Sequence, residues 1–438
     1  MTPDCIQSID EAQVGKQMHR LMTKLYPICR SLTGNGVRQT LHILRELIPL
    51  QINEVPTGTP IFDWTVPQEW NIRDAYIKNS RGERVIDFQR SNLHIMGYSV
   101  PVHESMSLAE LMPRLYSLPD HPEWIPQRAS YYEPNWGFSL AHNDLVKLKE
   151  DQYEVRIDST LSNGSLTYGE FVLPGEVTQE VLFSTHICHP SLCNDNLSGI
   201  VVAAHLAQAL GAMPRRYTYR FLFAPAQIGS LVWLARNQET VERIRHGLVL
   251  VALGDGGYST YKCSRHETAE IDRAVEHVLQ HSGQPYEIFK FVPYGYDERQ
   301  YCSPGFNLPV GCFMRSTGAR FPEYHTSADN LECVKPEFLG DSYRKCLEIC
   351  AVLEKNRSYR NLFPKGEPQL GKRGLYGATG GLAGGGRAKE LPLLWVLNFS
   401  DGTHTLLDIA ERSDLPFEQV WRAADALLLQ GLLEEVRI

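Results

Sequence analysis

The chain has 438 residues, of which 43% are hydrophobic and 10% aromatic, which is typical of folded proteins with two or three domains. A formal net charge of -8 argues against a general binder of nucleic acid or anionic membranes. The first residues lack the basic start and apolar core of a signal peptide, and no apolar run reaches the ~20 residues that a membrane span requires. Ten scattered cysteines are typical of reduced thiols, so we predict a soluble cytoplasmic protein, an enzyme rather than a scaffold.

The first 150 residues divide into a helical and a β-rich part. Apolar residues at helical spacing predict helices between about 10 and 48, interrupted at 31–36. From 62 to 150 the chain is rich in Trp, Tyr, Pro and short alternating runs such as Arg84–Phe88, which predicts a small β-rich inserted domain. We therefore expect residues 1–61 and 151–362 to form one larger domain, with residues 62–150 inserted into it.

From residue 152 onward, strand and helix patterns alternate. Six strands are predicted at Tyr153–Asp158, Val181–Ser184, Tyr219–Pro225, Gly247–Leu253, Tyr286–Val292 and Pro309–Arg315. Four helices are predicted at Gly199–Leu210, Ser230–Ile244, Thr268–His281 and Phe338–Lys355. This alternation predicts an α/β domain with a mostly parallel or mixed sheet that is covered on both faces.

The C-terminal part is predicted to be a separate helical domain. Residues 363–387 end in a Gly-rich run, which indicates a linker, and 388–438 have the layout of a winged helix-turn-helix. Residues 391–438 carry eight acidic and three basic residues, whereas DNA binding requires phosphates to be neutralised by Lys and Arg. We therefore favour a packing or protein-contact module over a DNA-binding regulator, and predict that nucleic acid is not a partner.

The stretch 181–210 is the candidate active site. An apolar strand, Val181–Phe183, leads into a polar loop with His186 and His189, and an Ala-rich helix follows. Asp195 and Asn196 stand where helix N-caps stand. Open α/β sheets build their sites beyond the carboxyl ends of the strands, which is where this loop falls.

Four residues at or after predicted strand ends have the chemistry of zinc ligands: His186, Asp195, Asp255 and His325. A single histidine at a strand end is more often a packed, hydrogen-bonded residue. Four such residues at the ends of alternating strands are much less expected by chance, so the set predicts a catalytic metal site with room for a water.

The surrounding motifs, His-x-Cys from His186, Asp-Asn-x-Ser-Gly from Asp195 and Tyr-His-Thr-x-x-Asp around His325, resemble those of the co-catalytic zinc aminopeptidases, which include the glutaminyl cyclases. The chain is most similar to a bacterial subgroup with a β-rich insertion and a C-terminal winged helix. This resemblance implies a three-layer α/β fold, phosphorylase/hydrolase-like, around a mixed sheet. It also implies one or two zinc ions: His186, Asp195 and Asp255 match the ligands of the first, and Asp195 with His325 match two ligands of the second.

The chain departs from that pattern at the acidic pair that supplies the family's general base and a metal ligand. The matching positions hold Ala226 and Gln227, and the usual Asp two residues after the first His is Cys188. Neither alanine nor glutamine can act as a carboxylate base, and the loss of a positioned base typically costs ~10²–10⁴-fold in rate.

The predicted catalytic replacements are Asp297 and Glu298, in a loop bounded by Gly and Pro, although such a charge cluster could equally be a solvated turn. Arg299 would pair with one of them or hold a substrate carboxylate. Glu323, close to His325, is a further candidate ligand or base, with a surface residue as its plain alternative.

Two cysteine-based sites are weaker alternatives. A structural zinc site from His186, Cys188, His189 and Cys193 would place four ligands within eight residues, which can hardly close a tetrahedron. Cys188 could also be a catalytic thiolate with His325 as its base, but a cysteine at a strand end is usually just buried.

The predicted function is therefore zinc-dependent hydrolysis of an amide or peptide bond in a small substrate, in which zinc polarises the carbonyl and acidifies a water. The subgroup that the chain resembles points to a biosynthetic intermediate as substrate. The alternative is a zinc-binding, aminopeptidase-like protein without turnover that serves as a binding or regulatory module. The sequence predicts no membrane partner and leaves open whether the protein is a homo-oligomer.

Overall fold

The computed structural model describes residues 9–317, 320–376 and 386–436, with side chains from 390 in the last range. Two compact units divide the chain: a small unit (Met1–Ile9, Glu270–Tyr286 and Lys345–Ile438) and a large unit (Asp10–Ala269 and Glu287–Arg344). Among the described residues, no helix is both long and apolar enough to cross a membrane.

The main sheet has eight strands. In chain order they are β1 (Gln51–Pro56), β2 (Ser165–Leu173), β3 (Glu180–His186), β4 (Thr218–Ala224), β5 (Ile244–Leu250), β6 (Ser259–Lys262), β7 (Tyr286–Phe289) and β8 (Val310–Met314). Their spatial order is β1-β2-β4-β3-β5-β8-β6-β7. Strands β4, β3, β5 and β8 run parallel, while β1, β2 and β6 pair antiparallel with their neighbours, so the sheet is mixed.

The centre of this sheet is buried on both faces. Every residue of β3 is buried, and successive side chains of a strand point to opposite faces. Leu182 of β3 belongs to a hydrophobic cluster with Trp233 of a following helix, while the neighbouring Phe183 stacks on Phe221 of β4 with ring centroids 5.2 Å apart. Because both faces need apolar side chains, the central strands form continuous apolar runs rather than alternating ones.

The helices of the α/β region follow their predicted places with one exception. They span Glu11–Leu25, Asn35–Arg45, Gly199–Gly211, Ile228–Arg236, Gln238–Val241, Glu270–Gln280 and Pro336–Lys355, with short turns of helix at Leu108–Leu111, His142–Leu145 and Glu298–Tyr301. The single helix predicted over 230–244 is wrong. Asn237 leaves the helical conformation, and the chain already enters β5 at Ile244.

The region predicted as a β-rich insertion contains a four-stranded antiparallel sheet, in the order Arg84–Asp87, Glu69–Lys78, Gln152–Ser162 and Val102–Ser107. Two minor pairs accompany it, Pro60–Ile61 with Trp64–Thr65 and Leu115–Tyr116 with Phe138–Ser139. The longest strand, Gln152–Ser162, lies beyond the predicted bound at residue 150, although it pairs with two strands inside that bound.

The C-terminal part of the small unit contains the helices Gly386–Phe399, Leu406–Ser413 and Phe417–Leu429. It also contains three strands, β9 (Ser358–Asn361), β10 (Asp401–Thr405) and β11 (Leu433–Glu435). These form an antiparallel sheet in the order β10-β9-β11. Strand β9 precedes the predicted linker and nevertheless completes this sheet. Of the predicted linker 363–387, residues 377–385 lie outside the described residues.

Candidate metal centre

The candidate site gathers around the carboxylate of Asp195, which is completely buried in the turn between β3 and the helix Gly199–Gly211. His186, the last residue of β3, places its Nε2 atom 2.9 Å from Oδ1 of Asp195. His325 places its Nε2 atom 2.9 Å from Oδ2 of the same carboxylate. Two of the predicted ligands therefore meet a third directly, although 130 residues separate Asp195 from His325.

His189 joins this cluster, with its Nε2 atom 3.8 Å from Oδ2 of Asp195. Ligand atoms of His186, His189 and Asp195 all lie within 4.8 Å of one another, as a metal site requires. We did not predict His189 as a ligand except together with the cysteines, yet its spacing from His186 was visible in the sequence. Neither Cys188 nor Cys193 belongs to the one such group found among the described residues.

The protonation states suit metal ligands. Burial lowers the pKa of His189 to about 3, although the Asp195 carboxylate acts against that shift, so the imidazole is neutral at pH 7. Burial by itself would raise the pKa of Asp195, but His189, His186 and His325 together hold it well below its ordinary value. A metal site requires neutral imidazole and ionised carboxylate.

The predicted helix-capping role of Asp195 and Asn196 is wrong. The helix begins at Gly199, and both residues lie in the preceding turn, Cys193–Ser198, with non-helical backbone angles. Asn196 instead accepts a hydrogen bond from the amide of Ala252, and its own amide donates to the Thr185 hydroxyl. The residue at the N-cap position is Ser198, so neither Asp195 nor Asn196 stands where the helix begins.

Asp255 lies beside the turn rather than on the Asp195 carboxylate. Its Oδ2 atom accepts a hydrogen bond from the Asn194 amide at 2.6 Å, and its Oδ1 atom accepts from the Gly257 backbone at 2.6 Å and the Ser316 hydroxyl at 2.7 Å. Asp255 therefore holds Asn194, the residue directly before Asp195.

Two further groups that we did not assign hold the ligand segment in place. The carboxylate of Asp329 accepts backbone hydrogen bonds from Cys193, Asn194 and Asp195 at 3.1, 2.5 and 2.9 Å. The buried guanidinium of Arg30 donates to the backbone oxygens of His189 at 2.7 Å and Pro190 at 3.0 Å. Asp329 ends the motif around His325, so a sequence signal existed for it; none existed for Arg30.

Gln227, predicted to stand at the position of the zinc aminopeptidases' acidic pair, is hydrogen-bonded to the loop 295–300. Gln227 Nε2 donates to the Gly295 carbonyl at 3.2 Å, and its Oε1 atom accepts from Arg299 Nη2 and, at 3.3 Å, from Gln300. The uncharged carboxamide of Gln227 is therefore bonded to three residues of this loop.

Asp297 is linked to Gln227 through the hydroxyl group of Ser230. The Ser230 hydroxyl lies 2.7 Å from the Gln227 carbonyl oxygen and 3.1 Å from Asp297 Oδ1, so its single proton is shared between the two acceptors. Asp297 is fully buried, and its Oδ2 atom has no hydrogen-bond partner among the described residues. Burial raises the pKa of this carboxyl to about 6, which His186 partly opposes.

The other predicted catalytic residues differ in their surroundings. Glu298 is also fully buried, and its Oε1 atom accepts from Lys262 Nζ at 2.6 Å. Glu323 is half-buried, and its backbone oxygen accepts from the Thr326 hydroxyl at 2.8 Å. Cys188 is 2% exposed, and burial raises the pKa of its thiol to about 12, which argues against a catalytic thiolate.

A pocket of about 890 Å³ opens onto His186 and His189. Two tyrosines of its wall lie parallel to the imidazoles: Tyr296 on His186 with centroids 5.7 Å apart, and Tyr324 on His325 at 4.0 Å. The other lining residues are Ala226, Gln227, Lys262, Phe289, Lys290, Val292, Tyr294, Gly295, Glu298, Arg299, Met314 and Thr317.

The fold is that of the zinc aminopeptidases. The zinc aminopeptidase of Bacillus subtilis superposes with a TM-score of 0.56 over 77% of this chain and 94% of its own, at 11% identity. The predicted fold class, an α/β mixed sheet with a C-terminal winged helix, is thereby confirmed. At this identity the likeness concerns the fold alone.

The chain belongs to the family described as "Domain of unknown function (DUF4910)", whose model matches residues 19–356, and a winged helix-turn-helix model matches residues 357–435. A Clostridium acetobutylicum protein, provisionally named a polysaccharide biosynthesis protein with an aminopeptidase-like domain, is 52% identical over 427 residues, 98% of each chain. A crystal structure from that organism, provisionally called a peptidase, is 50% identical and covers 98% of each chain with a TM-score of 0.94.

Proposed function

We propose that the protein is a zinc-dependent hydrolase of an amide or peptide bond. The observation that carries this proposal is the buried Asp195 carboxylate, contacted by His186 and His325 and approached by His189, at the end of an aromatic pocket. Nitrogen and carboxylate donors of this kind are the ligands that a catalytic zinc uses.

The donor set fits one zinc ion most directly. His186, His189 and Asp195 would hold it, with His325 and Asp255 as the neighbouring groups that could complete the coordination or hold a second ion. Bound zinc would polarise the amide carbonyl of the substrate and acidify a water beside it.

Asp297 is the proposed proton acceptor. Its raised pKa of about 6 keeps it ionised at neutral pH and still basic enough to take a proton, which is the range that general bases use. Its unpartnered Oδ2 atom can accept the proton, while Ser230 holds Oδ1. Glu298 is less suited to this role, because Lys262 already pairs with its carboxylate.

The name of the Clostridium acetobutylicum relative, a polysaccharide biosynthesis protein with an aminopeptidase-like domain, points to a biosynthetic intermediate as substrate of that protein. We extend that suggestion to this chain, because the pocket offers space for more than a single amino-acid side chain. The acidic winged helix, in this proposal, is a protein-contact module that does not bind DNA.

A metal-binding protein without turnover is the second candidate. The observation that favours it is the replacement of the acidic pair by Ala226 and Gln227, of which Gln227 is fully engaged in hydrogen bonds. In that case the same ligands would bind zinc, and the pocket would bind but not cleave its ligand.

Elemental analysis and an amide-substrate screen test the two candidates together. We expect the wild type to contain at least one zinc per chain and to hydrolyse an acyl p-nitroanilide, and His186→Ala to lose both. Zinc retained at full occupancy in His186→Ala would contradict the proposed site. Zinc binding without turnover on any acyl amide would favour the binding protein.

A further inference from the structure

The charges that line the pocket are unbalanced toward the positive. Three lining side chains are cationic, Lys262, Lys290 and Arg299, and only one is a carboxylate, Glu298. An enzyme that binds the free amino terminus of a peptide needs an anionic or acceptor group for the ammonium.

Glu298 is not free to serve as that group. Its Oε1 atom accepts from Lys262 Nζ at 2.6 Å and from the Tyr296 backbone at 3.2 Å, and Lys262 is only 7% exposed. The two opposite charges of this buried ion pair cancel. Drawing either group toward a substrate would leave the other charge buried without compensation. Lys290 also lies 4.0 Å from a carboxylate, that of Glu267, so Arg299 is the lining cation without a salt bridge among the described residues.

Arg299 has hydrogen-bonding capacity to spare. Its Nη2 atom donates to Gln227 Oε1, whereas its Nε atom is buried and has no acceptor among the described residues. A buried donor without an acceptor is costly, and a guanidinium presents neighbouring N–H groups in the geometry that a carboxylate matches. Arg299 also lines the pocket, so a ligand carboxylate can contact the guanidinium from the pocket side.

Arg299 also lies at the position where, by the resemblance to the zinc aminopeptidases, a carboxylate would be expected to bind the amino group of a peptide substrate. It binds Gln227, the residue at the position of the family's acidic pair. A substrate ammonium placed there would meet a guanidinium and a carboxamide and would be repelled. Lys290, 87% exposed at the rim of the pocket, lies 4.0 Å from the Glu267 carboxylate, which partly offsets its charge.

We infer that the pocket selects an amide whose acyl part carries a carboxylate and no free amino group, with Arg299 as the carboxylate-binding residue. The aromatic wall, Phe289, Tyr294, Tyr296 and Tyr324, packs against the carbon chain of that substrate. This inference rests on the proposed amide hydrolysis and names the class of substrate for it.

Three probes of equal length test the inference by binding. Glutarate, pentanoate and 5-aminopentanoate each offer one carboxylate to the metal and end in a carboxylate, a methyl group and an ammonium, respectively. In titration calorimetry with the zinc-loaded protein, we expect glutarate to bind about 10- to 100-fold more tightly than pentanoate, and 5-aminopentanoate to bind most weakly.

Variants locate that preference. Arg299→Gln should remove the advantage of glutarate over pentanoate, Arg299→Lys should keep part of it, and Lys290→Gln should reduce it by no more than about threefold, because that charge is exposed. Arg73→Gln is the matched control: Arg73 is 72% exposed, pairs with Asp158 and lies outside the pocket. Thermal unfolding is used to check that Arg299→Gln is folded. If the folded variant still binds glutarate more tightly than pentanoate by the wild-type factor, the assignment of Arg299 is overturned.

Hydrolysis separates this inference from the proposed function. Glutaryl, pentanoyl and 5-aminopentanoyl p-nitroanilide are compared by kcat/KM, and the glutaryl amide is expected to be the best substrate. If the amino compound is cleaved fastest, the inference fails while the hydrolase proposal stands. If none is cleaved but glutarate binding still depends on Arg299, the hydrolase proposal fails and the carboxylate site stands.

Discussion

Two segments beside the candidate metal centre differ in how completely their polar atoms are paired. At the turn that carries Asp195, Asp329 accepts three backbone hydrogen bonds and Asn196 is bonded through both ends of its carboxamide. In the segment 297–299, Asp297 Oδ2, Glu298 Oε2 and Arg299 Nε are buried without partners among the described residues. The paired segment fixes the candidate ligands, whereas the unpaired segment keeps buried polar atoms without hydrogen bonds.

The strongest test of the unpaired segment is Asp297→Asn. The substitution keeps the size of the side chain but removes the proton acceptor, so kcat should fall by ~10²–10⁴-fold while zinc content stays at the wild-type value. Asp63→Asn, on an exposed residue, is the control. Retained activity would assign the base to another group.

The same variant should not weaken the fold. Burial raises the pKa of Asp297 to about 6 in the folded protein, so the contribution of this group to stability is present at low pH and is lost as the pH rises toward and through 6. Above that pH the neutral Asn avoids the cost of a buried charge. The midpoint of thermal unfolding at pH 8 should therefore be equal to or higher than that of the wild type.

At the paired segment, Asp329→Ala should have the next largest effect. Three backbone N–H groups would lose their acceptor, at roughly 1–3 kcal/mol for each that stays buried and unsatisfied. We expect the free energy of unfolding to fall by about 3 kcal/mol and zinc affinity to fall ~10–100-fold, because the turn that carries Asp195 loosens.

Denaturant unfolding and a competitive zinc chelator measure both quantities for Asp329→Ala, with Asp63→Ala as the exposed control. If stability fell while zinc affinity stayed constant, Asp329 would support the fold without positioning the ligands.

Arg30→Met should have a smaller effect. The guanidinium donates to the backbone oxygens of Leu25, His189 and Pro190, so its loss leaves carbonyl groups without donors, while the cost of burying a charge disappears. A net loss of about 1–2 kcal/mol is expected, together with weaker zinc binding through His189. Arg20→Met, on an exposed helix position, should change neither quantity.

The smallest expected effect concerns the pH profile. The Ser230 hydroxyl lowers the pKa of Asp297 by its hydrogen bond, so Ser230→Ala should raise that pKa further. The acidic limb of kcat/KM, expected near pH 6 in the wild type, should move to higher pH by about half a unit to one unit. If the acidic limb moves to lower pH or stays in place, Asp297 is not the base whose titration limits kcat/KM.

Much of the fold was readable from the sequence because strands and helices leave a local signature. The continuous apolar run at Val181–Phe183 predicted a strand buried on both faces, and the Ala-rich segment after it predicted a helix. The long helix predicted over 230–244 failed because helical spacing does not reveal a single non-helical residue such as Asn237. The predicted domain bounds remain predictions.

Of the candidate site, the sequence determined which groups stand at strand ends, and its resemblance to the zinc aminopeptidases predicted Ala226 and Gln227 at the position of their acidic pair. Only the tertiary structure decided which of these groups meet: His186 and His325 on one carboxylate, Asp255 beside it, and Arg299 on Gln227. The physical reason is distance along the chain. Contacts such as Arg30 to His189, 159 residues apart, depend on side-chain directions that the packing of whole elements sets, and no local pattern records them.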